Sequence, residues 1–125
     1  MLGTFILWFG WYGFNCGTAI LSDGPRTEDV ASLAAVNTTL AAAAAGMASL
    51  LVNLYILDRR TGEALFDLKF LMNGTLSGLV AITAGCGVLE PWAAVVTGSI
   101  AGLIYIAGTN GLVALRLDDA VDAIP

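Results

Sequence analysis

Residues 2–18 read Leu2-Gly3-Thr4-Phe5-Ile6-Leu7-Trp8-Phe9-Gly10-Trp11-Tyr12-Gly13-Phe14-Asn15-Cys16-Gly17-Thr18. The run carries no charge, which predicts a membrane-embedded helix. It has two different faces. Trp11, Phe14 and Thr18 are spaced i, i+3, i+7, which puts them on one side of a helix. Gly3, Gly10, Gly13 and Gly17 fall on an adjacent side. Glycine there predicts a close neighbouring helix, and Gly13-xxx-Gly17 is a small-xxx-small pattern. An ordinary lipid anchor needs neither face. A helix lining a narrow pore needs both.

The whole chain repeats the membrane signal. Its 125 residues are 58% hydrophobic and 12% charged, with a mean hydropathy of +0.83. A soluble domain has about 25% charged residues. The charges are also bunched. None lies between Met1 and Ser22, between Val30 and Leu57, between Phe70 and Leu89, or between Pro91 and Leu115. Each gap can hold a span of about 20 residues. The second is longer than a minimal span, which predicts tilt or projection past the lipid. The expected fold is all-α integral membrane, with about four transmembrane helices and no soluble domain. The net charge of −5 sits mainly in short loops and at the C-terminus. It argues against nucleic acid, which needs a basic patch. Met1 leads directly into the first span, so no cleavable signal peptide is expected. Cys16 and Cys86 form no CxxC and read as small packing residues.

The first helix is expected over Leu2–Leu21. A turn-rich acidic loop follows, with Thr27 as N-cap of a second helix and Glu28 and Asp29 in its first turn. That helix runs to about Leu57. Its alanine run, Ala41–Ala45, allows close helix contact. A third helix is expected from about Phe70 to Leu89, broken at Glu90-Pro91, and a fourth from about Trp92 to Leu115. Of the five basic residues, Arg59, Arg60, Lys69 and Arg116 fall on one side of the membrane and Arg26 on the other. The bias places the loop after the second helix in the cytoplasm. Asn37-Thr38-Thr39 and Asn73-Gly74-Thr75 match the glycosylation sequon, but both lie in or at the ends of spans and are expected to stay unmodified.

Five ordered blocks resemble the ammonium transporter and Rhesus protein family. Ile6–Thr18 resembles its sixth transmembrane segment, and Val36-Asn37-Thr38-Thr39 with the alanines its seventh. Asn73-Gly74 through Gly85-Cys86 resembles the eighth, and Glu90-Pro91-Trp92 with Gly98-xxx-Gly102 the ninth. Asp118-Asp119-Ala-Val-Asp122-Ala-Ile-Pro125 resembles the start of the tenth. The wording is nearest to plant and algal members. The resemblance implies about eleven spans in two inverted halves around a pore, a homotrimer, and residence in the plasma membrane. Residues 1–125 then read as a single fragment of such a membrane domain. The chain contains no histidine, so the family's two pore histidines are expected outside it.

The resemblance also implies an activity: recruitment of ammonium, its deprotonation, and conduction of ammonia, with methylammonium as an analogue. Trp11, Phe14, Thr18 and Thr83 match substrate-pathway positions, with Thr18 standing where many members have serine. Asp122 matches an aspartate that supports the next helix, a role an N-cap also describes. Gly10, Gly13, Gly17, Gly74, Gly78, Gly98 and Gly102 are expected at helix contacts. Without the resemblance, helix packing accounts for Trp11 and Phe14, and a bond to its own helix carbonyl accounts for Thr83. Trp8, Trp92 and Tyr105 read as packing or interface residues. No metal-ligand cluster, nucleophile–base pair or phosphate-cradling loop is present in the sequence, so neither an enzyme nor a cofactor is expected. Two other readings use the same residues: a four-span subunit that only packs against partners, and an ammonium-sensing relative with little flux.

Overall fold

A computed structural model of the chain describes residues 1–21, 27–61 and 66–115, with backbone alone at 57, 58, 60 and 61. The described residues form four helices: α1 (Leu2–Leu21), α2 (Thr27–Thr61), α3 (Leu68–Ile82) and α4 (Pro91–Ala114). α1 has the expected bounds. Thr27 is the first residue of α2, with Glu28 and Asp29 in the first turn. α2 passes Leu57 and ends at Thr61. Near that end the Arg59 guanidinium lies 5.1 Å from the Tyr55 ring centroid, one turn back.

α3 departs most from the sequence expectation of Phe70–Leu89. It starts earlier, at Leu68, because the Asp67 carboxylate accepts from the Lys69 backbone N–H at 2.9 Å and caps the first turn. It also ends earlier, at Ile82. From Thr83 to Leu89 the chain makes tight turns instead, with Gly85 N–H donating to Ile82 O (3.0 Å) and Val88 N–H to Gly85 O (3.1 Å). The cause lies on another helix. The fully buried Asn37 of α2 donates one amide N–H to Cys86 O (2.9 Å) and the other to Leu89 O (2.6 Å). Carbonyls left over by the broken helix thus find donors. α4 then starts at Pro91, whose missing N–H is no loss in a first turn. The sequence marks the same proline as a breaker.

α2 is the hub. It contacts all three other helices, whereas α1 meets only α2 and α3 among the described residues. On one side α2 presents Ala41, Ala45 and Ser49, spaced by four along the helix, to glycines of its neighbours. Gly78 and Gly98 meet Ala41, Gly102 meets Ala45, and Gly74 meets Ser49. A Cβ placed on Gly98 would stand 2.7 Å from Ala41 Cα and 2.8 Å from its carbonyl carbon. Backbone atoms cannot give way as a flexible side chain can. The buried apolar cluster Ala34, Ala41, Ile82, Cys86 and Ala94 lies along this seam. The glycines of α1 behave differently. Gly3, Gly10, Gly13 and Gly17 have nothing within 4 Å of a built Cβ. The close contact expected of that face is therefore not made within the described residues.

α2 over Thr27–Ile56 and α4 over Pro91–Ala114 are long and apolar enough to cross a membrane, by length and composition. α1 has 20 uncharged residues, diluted in hydropathy by Trp, Tyr, Asn and Gly. α3 has 15 residues, and the turns to Leu89 extend its apolar path. The alanine–glycine seam gives a direct test. Gly98→Ala should destabilise the purified protein by about 1–3 kcal/mol, seen as a lower thermal midpoint in detergent. Gly111→Ala on the same helix, where nothing lies within 4 Å, should not lower it.

Candidate substrate pathway

Asn37, Thr38 and Thr39 are consecutive on α2, so each points about 100° from the next. They reach three different partners. Asn37 binds the turns after α3, as described. Thr38 Oγ1 accepts from Asn15 Nδ2 at 2.9 Å. Thr39 Oγ1 and the Tyr12 hydroxyl lie 2.7 Å apart. A further bond ties α1 to the end of α3: the Trp11 indole N–H donates to Thr83 Oγ1 at 2.9 Å. α1 is thus held by directed side-chain hydrogen bonds.

Thr83 is the C-cap of α3. Its hydroxyl donates to Leu79 O at 2.8 Å, the bond to its own helix that the sequence allows. It also accepts from Trp11, so two residues expected on one pathway are in direct contact. A cavity of about 410 Å³ opens beside them, lined by Phe14, Asn15, Thr18, Val30, Thr83 and Val88 among others. It brings together Phe14 and Thr18 of α1 with Thr83 of the turns. Trp11 is not in its lining and reaches it through Thr83.

The wall has a definite chemistry. Phe14 is 60% exposed and offers a ring face. Thr18 donates its hydroxyl proton to Phe14 O at 2.7 Å, and Thr83 donates its own to Leu79 O. Both protons are committed, so both oxygens present lone pairs. Among the described residues none that lines it is charged. An aromatic face beside acceptor oxygens suits a small cation bearing N–H groups.

The other singled-out residues are less central. Asp122, with Asp118 and Asp119, lies outside the described residues. Tyr105 is 2% exposed, takes an amide N–H from Asn73 at 3.1 Å, and meets the Phe70 ring edge-on at 6.1 Å. Trp92 donates its indole N–H to Glu90 Oε2 at 2.6 Å. Among the described residues no group of three or more metal-ligating side chains occurs. Sequence reasoning missed Tyr12, Asn15, Asn37, Thr38 and Thr39 as structural contacts. The available signal was a polar triplet inside an apolar span, where polar side chains seek partners on other helices.

The whole chain, residues 1–125, matches the sequence profile of the Ammonium Transporter Family. The chain belongs to that family. It is 43% identical over 125 residues to the ammonium transporter Amt2 of Archaeoglobus fulgidus, covering 100% of this chain and 25% of that protein. The crystal structure of Saccharomyces cerevisiae Mep2 aligns with a TM-score of 0.81 at 32% identity, over 97% of this chain and 25% of Mep2. A structure described as a sensor Amt protein aligns with a TM-score of 0.77 at 37% identity, over 98% of this chain and 28% of its own. The chain spans about a quarter of the length of the relatives it matches. As a member of this family it is a multi-pass membrane protein.

In this ammonium transporter family chain the Trp11–Thr83 bond should be measurable. In an intact transporter carrying the segment, Trp11→Phe and Thr83→Val each remove it. A double-mutant cycle on thermal unfolding should give a coupling of about 0.5–1.5 kcal/mol. Strict additivity would separate the two side chains.

Proposed function

We propose that this segment forms one wall of a pathway that recruits ammonium and conducts ammonia across a membrane. The observation that carries the reading is the cavity shared by Phe14, Thr18 and Thr83, with Trp11 bonded to Thr83 behind it. The physical problem is charge. An ion costs several kcal/mol or more to bring into hydrocarbon, whereas neutral ammonia costs far less. The ring of Phe14 and the lone pair of Thr18 hold the cation at the mouth. Thr83 accepts from an N–H donor further in. Potassium has no proton to lose and cannot become neutral. Membership of the ammonium transporter family supports the substrate.

The remaining roles belong to the same proposal. Asp122 supports the start of a further helix. Gly10, Gly13 and Gly17, open within the described residues, receive a helix of the intact protein. The protein assembles as a homotrimer in the plasma membrane, with position 60 in the cytoplasm and position 26 outside. One match favours a second reading: the sensor Amt structure at 37% identity, which makes ammonium sensing with little flux the alternative. Uptake measured on the intact protein separates the two.

Phe14→Ala removes the ring and leaves α1 able to pack. The intact transporter should assemble in normal yield and show altered methylammonium uptake or altered discrimination against potassium. Unchanged uptake and selectivity would overturn the wall assignment. Orientation has its own test. With Cys16 and Cys86 replaced, a cysteine at position 60 should resist impermeant maleimide added outside intact cells, and one at position 26 should react. The reverse pattern would invert the topology.

A further inference from the structure

α1 bears both Phe14 and Thr18, and within the described residues it is tied to its neighbours by three side-chain hydrogen bonds, from Trp11, Tyr12 and Asn15. It does not touch α4, and its glycines meet nothing within 4 Å. Only Asn15 and Ala19 are buried on α1, so Asn15, 3% exposed, is its one buried polar side chain. Its partner Thr38 is fully buried. The Thr38 hydroxyl donates to Ala34 O at 2.6 Å, so toward Asn15 it can only accept. The Asn15 amide must therefore turn its N–H to Thr38. That fixes the amide: its Oδ1 faces away and is buried without a hydrogen-bond partner. Leaving a buried acceptor unmet is unfavourable, so the N–H contact outweighs that cost. Asn15 follows Phe14 in sequence and shares the cavity lining with Phe14 and Thr18.

We infer that Asn15 and Thr38 are positioning residues: their hydrogen bond sets the rotation of α1 and so where Phe14 and Thr18 stand in the cavity. The bond is buried and its donor is determined. The neighbouring Tyr12–Thr39 bond is exposed: the Thr39 hydroxyl donates to Ala35 O at 2.8 Å and accepts from Tyr12. The Trp11–Thr83 bond acts one turn away, at the pathway itself. The inference rests on the transport reading for its consequence but not for its geometry.

The test uses an intact transporter carrying this segment, with Cys16 and Cys86 replaced. Thr38→Val keeps the volume and removes the acceptor; Thr38→Ser restores it. In a Thr18→Cys background, Thr38→Val should change the rate of methanethiosulfonate labelling about three- to tenfold, and Thr38→Ser should not. With Thr18 intact, Thr38→Val should raise the methylammonium KM by a similar factor while maximal uptake per assembled protein changes less. Equal labelling rates in both variants overturn the inference. So does a fall in Thr38→Val uptake that only tracks a fall in assembled protein, since that describes a folding contact. An unsubstituted protein that takes up no methylammonium sinks the transport reading alone. The labelling comparison still decides this one.

Discussion

The backbone after Ile82 leaves the helical path within an apolar stretch, and the amide of Asn37 makes that possible. In lipid each unmet backbone group costs several kcal/mol, so irregular chain survives only where protein supplies the partners. Asn37 supplies two N–H groups, to Cys86 O and Leu89 O. Its own Oδ1 stays buried without a partner, a residual cost of about 1–3 kcal/mol. The candidate pathway depends on this exchange. Thr83 stands at the break, where it can both bond back to Leu79 and receive the indole of Trp11.

Two kinds of helix contact meet on α2. Against α3 and α4 the alanines face glycines, and backbones approach so closely that a methyl group would collide. Such contacts rest on many small dispersion terms and resist sliding. Toward α1, α2 offers hydroxyls instead, and each bond fixes a direction at one point. Phe14 and Thr18, which line the cavity, sit on this second kind of element. Three helices thus pack with close backbone contacts, and the fourth joins them through a few identifiable side-chain hydrogen bonds.

The sequence made the helices legible because charge-free stretches and caps are local signals. α1 came out with its observed bounds for that reason. The end of α3 was not legible. Phe70–Leu89 is free of charge throughout, and the side chain that stabilises the break is 49 residues from Cys86. Glycine spacing was ambiguous in a similar way. Gly98-xxx-Gly102 and Gly13-xxx-Gly17 are the same pattern, yet only the first meets a neighbour within the described residues. Phe14 and Thr18 were readable as one face from helical spacing, and the resemblance added Thr83. The Asn15–Thr38 pair needed the fold, since nothing local in either residue names its partner.

The wall formed by Phe14, Thr18 and Thr83 also says what it cannot do unaided. With Phe14 60% exposed, a cation at its face keeps much of its water. At exposed sites a cation–π contact is worth about 0.5–1 kcal/mol, rising to about 2 or more once the ion is desolvated. A hydrogen bond to a neutral hydroxyl adds about 0.5–1.5 kcal/mol. These terms fall short of the several kcal/mol needed to strip an ion. In the proposed pathway the described residues therefore contribute only shape and acceptor pattern. On that proposal, removing an ion's water requires protein on the opposite side of the cavity, and the strength of binding depends on how tightly that side closes.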